Sequence, residues 1–341
     1  MRSFTFSFAA DPHDAVRAAS ESPGNEVGAR MPAQFLGGGT TLVDLMKLDV
    51  MRPGRVIDIT RITGPRVRAI EVTRAGLFVG ALATMRQVAD CAAVRRDYPV
   101  LAESLSLAAS PQIRNMARVG GNVLQRTRCA YFRDTSWPCN KRDPGAGCSA
   151  LQGQNRWHAV LGTSEHCIAS YPGDWAVALI ALDATVETLA PSGPRVLRFA
   201  ELHRPPGSTP HIETSLAPGE LITGFLVPAG AYTRRSLYLK VRDRESYEFA
   251  LASAAVALDL DGDTVRHVRI GLGGAVAVPW RARESEAILS GKPLTEANAE
   301  AAARAAFVGA TPREHNAFRI PLGEQTLIRA LMQAKAMEVI A

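Results

Sequence analysis

Four of the chain's five cysteines lie close together in the sequence. They are Cys129, Cys139, Cys148 and Cys167, all within 39 residues. Prolines and glycines interrupt the segment repeatedly, so we expect irregular backbone there rather than helix or strand. Thiolates suit zinc and iron–sulfur clusters, and four of them complete the coordination of one zinc ion or one 4Fe-4S cluster. The segment therefore predicts a metal site.

The spacing of these cysteines does not select the metal. The intervals contain nine, eight and eighteen residues, without the CxxC pair of zinc ribbons and common ferredoxins. His158 and His166 lie in the same segment, so a mixed Cys/His zinc site stays open, as do buried structural thiols or disulfides. Cys91 lies apart, in the apolar, helical-looking stretch RQVADCAAV, and is expected to pack in the core.

Basic residues flank the cysteine segment, and the formal net charge of the chain is +6, mostly from arginine. They form either a solvated rim or a set that offsets the negative charge of thiolates. These residues are Arg114, Arg118, Arg126, Arg128, Arg133, Lys141, Arg142 and Arg156. Because aromatic residues make up only 6% of the chain and no nucleic-acid-binding module is recognised, we expect no nucleic-acid partner.

A glycine segment, FLGGGTTLVDLMK at residues 35–47, is a candidate phosphate-binding turn. Three glycines after a strand let backbone amides approach a ligand, and Thr40 or Thr41 can cap the following helix. The Rossmann fingerprint fails, because Leu42 occupies its third glycine position. A dinucleotide pyrophosphate fits the segment, although a structural turn explains three glycines nearly as well.

A second glycine segment strengthens the cofactor interpretation. In ASPQIRNMARVGGN, Gly120 and Gly121 precede Asn122, and Cys129 follows seven residues later.

Three regions must position these residues. Up to about residue 62 strand and helix patterns alternate: a strand at Phe4 to Phe8, a helix over Asp11 to Ser20, a strand at Gln34 to Leu36, a helix at LVDLMKL and a strand at RVIDI. Short strands (VRAIEV, GLFVGAL, ELITGFLVP) and helices continue to about residue 228. From 229 onward, DLDGDT predicts a hairpin and helical patterns follow. No apolar run is long enough to span a membrane, and no signal-peptide core is recognised near the N-terminus.

Four motifs in order, FLGGGTTLVDLMK, ASPQIRNMARVGGN, SYPGDWAVALIALDA and YLKVRDRESYEFALASAAVAL, resemble the FAD-binding medium subunit of the molybdenum hydroxylase (xanthine dehydrogenase) family. The resemblance covers nearly the whole chain. It implies an α+β fold, with a two-lobed FAD-binding domain of the PCMH/VAO type at 1–228, in lobes of about 1–62 and 63–228. A smaller α+β C-terminal domain of the CO dehydrogenase flavoprotein type would occupy 229–341.

The cysteine segment, a loop at about 126–168, restricts the resemblance to two branches of the family. Most medium subunits lack these roughly forty residues. The insertion is similar to that of periplasmic aldehyde oxidoreductases of the PaoABC type, and also to that of 4-hydroxybenzoyl-CoA reductase; both hold a 4Fe-4S cluster there. The resemblance thus implies that Cys129, Cys139, Cys148 and Cys167 bind a 4Fe-4S cluster. Because the loop has few apolar residues, we expect the cluster to hold it together.

The resemblance also implies an FAD site. The first glycine segment would wrap the pyrophosphate, and a second cradle would include Arg118, mainly through its main chain. Asp174 would hold the cofactor, Ile222 would pack on the flavin and Lys240 would approach it. The implied cofactor residues are Gln34, Phe35, Leu36, Gly37, Gly38, Gly39, Thr40, Thr41, Leu42, Arg118, Gly121, Asn122, Asp174, Ile222 and Lys240. A helix N-cap for Asp174 and a surface position for Lys240 are the structural alternatives.

The implied function is electron transfer, without catalytic residues on this chain. FAD and a 4Fe-4S cluster would receive electrons from aldehyde oxidation on a large molybdenum-cofactor subunit, through the 2Fe-2S clusters of a small subunit, and pass them to an external acceptor. The heterotrimer would be periplasmic by export with a partner, or else cytoplasmic. Alternatives are a 4-hydroxybenzoyl-CoA reductase-like medium subunit, a free-standing FAD oxidoreductase with a structural metal loop, and a zinc-stapled scaffold. No compact Ser/His/Asp or Cys/His constellation supports the free-standing enzyme.

Overall fold

A computed structural model of the protein describes residues 1–22, 31–64 and 66–339. The chain forms one parallel and two antiparallel sheets with helices packed around them, which confirms the α+β class. Within the described ranges, no helix has the length and apolar character needed to cross a membrane.

The first sheet contains three parallel strands in the order β1-β3-β2. They are β1 (Thr5–Phe8), β2 (Ala33–Leu36) and β3 (Arg55–Asp58). Helix α1 (Pro12–Ser20) follows β1, and α2 (Leu42–Lys47) follows β2. The strand and helix alternation expected for this region is confirmed.

The second sheet is antiparallel, in the order β4-β5-β8-β6-β7. Its strands are β4 (Ile70–Val72), β5 (Gly76–Gly80), β6 (Thr185–Ala190), β7 (Gly193–Arg198) and β8 (Leu221–Pro228). The strand expected at VRAIEV is shorter than predicted, because its first residues form a turn.

Seven helices accompany this sheet within the described residues. They are α3 (Met85–Asp90), α4 (Ala92–Asp97), α5 (Pro99–Ser106), α6 (Pro111–Met116), α7 (Val119–Val123), α8 (Ala130–Arg133) and α9 (Trp175–Ala181). Every residue of α9 is buried, and this helix forms the centre of the largest core. Cys91 packs against the same core as expected, but it breaks the helix between α3 and α4.

The C-terminal sheet is antiparallel, in the order β12-β11-β10-β9. Its elements are β9 (Ser236–Val241), β10 (Ala252–Asp261), β11 (Thr264–Gly273) and β12 (Trp280–Arg281), followed by α10 (Arg283–Leu289), α11 (Glu296–Ala306) and α12 (Arg319–Ala336). The expected hairpin joins β10 to β11. Apolar residues of this sheet and of α10 to α12 form a second core.

Candidate functional site

The first glycine segment forms a turn between β2 and α2. Gly39 has a φ of 72°, in the left-handed region that favours glycine. A Cβ at Gly38 would lie 2.1 Å from the carbonyl oxygen of Met116, so this turn packs directly on the end of α6. Thr41 occupies the N-cap position of α2 without a side-chain capping bond, so the cap expected there is wrong for Thr41.

The second glycine pair lies in the short helix α7. A Cβ at Gly120 would lie 2.8 Å from the Cβ of Ala81, whereas a Cβ at Gly121 would have no other atom within 4 Å. Gly120 therefore serves packing, and Gly121 borders open space. The two segments are adjacent, since a Cβ at Gly37 would lie 3.3 Å from Cγ of Arg118.

Both glycine segments line one cleft of about 510 Å³. Most of the predicted cofactor residues border it: Gln34, Phe35, Gly37, Gly38, Gly39, Thr40, Thr41, Leu42, Arg118, Gly121, Asn122, Asp174 and Ile222. Leu36 and Lys240 are not among its lining residues. Leu36 instead packs against a core cluster that includes residues of α2.

Five residues that line the cleft each carry one buried polar atom with no hydrogen-bond partner in the part of the chain that the structure describes. The atoms are Nε2 of Gln34, Nε of Arg118, Oδ1 of Asn122, Nη1 of Arg126 and Nε of Arg128. An unsatisfied buried polar group costs about 1–3 kcal/mol, so a polar ligand in the cleft would stabilise this wall. The position of Arg118 Nε indicates that its side chain, and not only its main chain, is available to such a ligand.

Lys240 lies behind Asp174. Its Nζ donates to Oδ2 of Asp174 at 2.8 Å and to the Leu107 carbonyl at 3.1 Å, and its side chain is only 1% exposed. The Tyr238 hydroxyl donates to Oδ1 of Asp174 at 2.7 Å. Burial raises the pKa of Asp174 above its ordinary value, although Lys240 and Tyr238 offset part of that increase. The surface alternative for Lys240 is therefore wrong.

The N-cap alternative for Asp174 is correct for its position but wrong for its side-chain hydrogen bonds. Asp174 stands at the N-cap position of α9, but its side chain makes no capping bond. Its two carboxylate oxygens are committed to Tyr238 and Lys240 instead. The pair therefore joins the cleft wall to the first strand of the C-terminal sheet.

Two strips of the cleft wall contain no residue that the sequence predicted to bind the cofactor. One follows β7 and the other follows β9; their lining residues include His211, Ile212, Glu213, Thr214, Leu216, Arg244, Tyr247, Glu248 and Phe249. Tyr247 has a φ of 54°, a left-handed backbone rare for a tyrosine. Neither strip carries a glycine run or a periodic pattern that would mark it as a ligand site.

The four clustered cysteines are free thiols in an irregular loop. Cys139 and Cys167 are buried, and Cys129 and Cys148 are partly buried. Backbone bridges join Cys139 to Cys148 and Ser164 to Cys167. Burial raises the pKa of Cys129 to about 12 and that of Cys167 to about 11, and the charges of neighbouring thiolates add to both increases. The four thiols therefore lie near one another, and Cys129 and Cys167 are neutral at pH 7 when no cation is bound.

No three His, Cys, Asp or Glu side chains in the described ranges are arranged to hold a single metal ion. In a 4Fe-4S cluster each thiolate binds its own iron atom, so the ligands are spread more widely than around one ion. The donor set, four thiols and no carboxylate, suits an iron–sulfur group. The assignment of Cys129, Cys139, Cys148 and Cys167 as metal ligands stays a prediction.

Basic residues around this loop hold it to its neighbours. Arg128 and Arg133 bind Asp44 of α2 at 3.1 and 2.7 Å. Arg126 and Lys141 both bind Glu213 at 3.1 Å. The interpretation of a solvated rim is therefore wrong for these four residues. They attach the loop to Asp44 of α2 and to Glu213 of the cleft wall.

Burial alone would raise the pKa of Glu213, but Arg126 and Lys141 lower it to about 2. The Glu213 side chain is therefore a carboxylate at neutral pH. Arg142, whose side chain is 5% exposed, donates to the carbonyls of Tyr131 and Phe132 at 2.9 Å and stiffens the loop from within.

The loop also packs through apolar side chains, contrary to the expectation that it has too few of them. Phe132 is fully buried in the cluster beneath α2, and Val160 and Leu161 join the core of the C-terminal sheet. Arg319 of α12, 1% exposed, donates to the Arg156 carbonyl at 2.8 Å. The loop is thus clamped between the first sheet and the C-terminal sheet.

Two family profiles match the chain. The FAD binding domain in molybdopterin dehydrogenase matches residues 2–230, and the CO dehydrogenase flavoprotein C-terminal domain matches residues 237–334. Together the two matches span almost the whole sequence.

Individual proteins are similar over the same length. The aldehyde oxidoreductase FAD-binding subunit PaoB of Escherichia coli K12 is 45% identical over 98% of this chain and 99% of its own. The carbon monoxide dehydrogenase medium chain of Hydrogenophaga pseudoflava is 27% identical over 83% and 80% of the two chains. A solved structure of carbon monoxide dehydrogenase from that organism matches with a TM-score of 0.74 and 25% identity, covering 98% of each chain. This chain therefore belongs to the FAD-binding subunits of the molybdenum hydroxylase family, and it is an oxidoreductase subunit.

Proposed function

We propose that this chain is the FAD- and 4Fe-4S-containing electron-transfer subunit of a heterotrimeric, molybdenum-dependent aldehyde oxidoreductase. The observation that carries the proposal is its 45% identity, over nearly the full length, to an aldehyde oxidoreductase FAD-binding subunit. When bound, FAD accepts electrons singly or in pairs, and a 4Fe-4S cluster transfers one electron at a time.

The cleft between the two glycine segments supports the FAD part of the proposal. Amides at Gly37 to Gly39 and at Gly121 would hold the pyrophosphate, together with the hydroxyls of Thr40 and Thr41. The unpartnered Nε2 of Gln34 and Oδ1 of Asn122 would find partners on the cofactor. Ile222, on β8, would pack on the flavin.

The buried ion pair of Asp174 and Lys240 supports further proposals about the cofactor site. Asp174 would hold a polar group of the cofactor, and Lys240 would act from behind by fixing that carboxylate. Leu36, which packs away from the cleft, would contribute backbone only.

The cysteine loop supports the 4Fe-4S part of the proposal. Four free thiols lie near one another, in a loop clamped on both sides by ion pairs and apolar packing. Each of the four cysteines would bind one iron atom, and their charge would be offset by the iron rather than by a proton.

Two cysteine substitutions test the cluster. Cys139→Ser should remove about four iron atoms per chain, since four thiolates hold a 4Fe-4S cluster. Cys91→Ser is the matched control and should leave the iron content unchanged, because Cys91 packs against the core far from the loop in sequence. Unchanged iron in the Cys139 variant, or stoichiometric zinc in the unaltered protein, would overturn the cluster.

The similarity to an aldehyde oxidoreductase subunit also supports a proposal about the partners. A large subunit with the molybdenum cofactor would oxidise the aldehyde, and a small subunit with 2Fe-2S clusters would bring the electrons here. An external acceptor would then take them. Aldehyde-dependent reduction of a dye acceptor by the purified complex, lost when the large subunit is omitted, would support this arrangement; activity of this chain alone would contradict it.

We propose a periplasmic location reached by export with a partner subunit. Support comes from the resemblance of the cysteine loop to that of periplasmic aldehyde oxidoreductases. Fractionation of the native host should place the chain in the periplasm only when the partner is produced; finding it in the cytoplasm with its partners present would overturn the proposal.

A further inference from the structure

His158 lies beside one of the four cysteines. Its Nε2 is 3.1 Å from Sγ of Cys129, and the residue is 3% exposed. Its other ring nitrogen, Nδ1, is buried and has no hydrogen-bond partner in the described part of the chain. The thiol is therefore the one polar contact of this imidazole given by the structure.

The backbone around His158 is fixed from the C-terminal side of the molecule. Its amide donates to the Asn155 carbonyl at 3.0 Å, and its own carbonyl accepts from Nδ2 of Asn316 at 3.3 Å. Asn316 is completely buried. The Tyr131 ring lies 6.2 Å from the imidazole, centroid to centroid. These contacts hold the ring against the cysteine.

The direction of the hydrogen bond follows from the chemistry of a ligand thiolate. A thiolate bound to iron carries no proton, so the imidazole must donate, and Nε2 is the nitrogen with an acceptor in reach. Hydrogen bonds to the sulfurs are one of the factors that set the reduction potential of an iron–sulfur cluster. Reduction adds one electron and breaks no bond, and the extra negative charge strengthens such a bond. A donor therefore favours the reduced state.

We propose that His158 is a positioning residue that donates a hydrogen bond from Nε2 to the Cys129 thiolate and thereby raises the reduction potential of the 4Fe-4S cluster. This inference rests on the proposed function, since it needs the cluster to be present. It assigns His158 no bond to iron, unlike the mixed Cys/His site that the sequence left open.

The test compares three variants of the purified complex. His158→Phe keeps a ring of similar volume and removes the donor, together with the unpartnered Nδ1. His158→Gln keeps an N–H group at a similar reach. His166→Phe is the matched control, because His166 lies in the same loop but is exposed. Iron content is measured first, and the cluster potential is then followed by its paramagnetic resonance signal.

We expect every variant to keep the iron content of the unaltered complex, of which about four atoms belong to this chain. The equilibrium constant for reduction should fall about threefold to tenfold in His158→Phe, because the hydrogen bond is stronger in the reduced, more negative cluster and its loss therefore costs that state more. That fall is about 30–60 mV at 59 mV per tenfold. It should be smaller in His158→Gln and absent in His166→Phe.

Equal cluster reduction potentials in His158→Phe and the unaltered protein would overturn the inference. They would not affect the proposal that a cluster is bound. Loss of iron in both His158 variants would also overturn it, since packing or direct ligation would then explain the residue. Loss of iron from His158→Phe, together with full iron content in His158→Gln, would support the role of His158 as a hydrogen-bond donor. Absence of iron from the unaltered protein would instead overturn the proposed function, and the inference with it.

Discussion

Gly38 and Gly121 both belong to glycine segments, but their surroundings differ. A Cβ at Gly38 would collide with the backbone of Met116, whereas a Cβ at Gly121 would enter the open cleft. Substitution at Gly38 therefore damages the fold, and substitution at Gly121 tests the ligand.

We expect Gly121→Val to fold and to lose FAD, with Gly121→Ala intermediate. The added side chain begins in open cleft space, since a Cβ at Gly121 has no neighbouring atom within 4 Å. The measurement is flavin absorbance per chain, alongside circular dichroism and a melting curve of the flavin-free protein. Full flavin content in Gly121→Val would show that the cofactor does not approach this helix.

The buried pair of Asp174 and Lys240 gives a second prediction at this scale. Lys240→Met leaves the Asp174 carboxylate buried without its cation, which should destabilise the protein by about 3–5 kcal/mol. The matched control is Lys47→Met, at an exposed lysine, which should change stability by less than about 0.5 kcal/mol.

Denaturant unfolding measures this effect. The double variant Asp174→Asn with Lys240→Met should recover part of the loss, because no uncompensated charge is then buried. Equal stabilities of Lys240→Met and Lys47→Met would contradict the pairing.

At the scale of elements, the cysteine loop depends on Glu213 for its attachment to the strip between β7 and β8. The folded state depresses the pKa of Glu213 to about 2, from an ordinary value of 4.5. Its contribution to stability is therefore complete above pH 4.5 and is lost as the pH falls toward 2.

We predict that Glu213→Gln is less stable than the unaltered protein by about 3 kcal/mol at pH 7, since Arg126 and Lys141 lose their carboxylate. The difference should shrink as the pH falls below 4.5. Unfolding measured from pH 7 to pH 3 checks this, with Glu71→Gln, an exposed residue of β4, as control. A pH-independent difference would show that the carboxylate charge is not what attaches the loop.

Local patterns in the sequence predict these elements better than they predict the contacts between them. Two short patterns predict a strand and a turn: the alternation of Phe4, Phe6 and Phe8, and the glycines before α2. Each pattern extends over only a few residues, so it can be recognised in the sequence. The bonds from Glu213 to Arg126 and from Lys240 to Asp174 span 87 and 66 residues. Nothing in the sequence near those positions indicates their partners.

At the scale of the whole molecule, the cysteine loop connects three parts of the chain. It packs beneath α2 through Phe132, binds the cleft wall through Arg126 and Lys141, and joins the C-terminal core through Val160 and Leu161. The flavin cleft and the proposed cluster therefore share walls, and disorder in the loop should weaken flavin binding as well.

We propose that this one chain carries both FAD and a 4Fe-4S cluster within a larger complex. The most direct measurement is the FAD, iron and zinc content of this chain after it is purified with its partners from its own host and then separated from them. We expect one FAD and about four iron atoms per chain. Stoichiometric zinc without iron, or a chain that carries flavin and no metal, would contradict it.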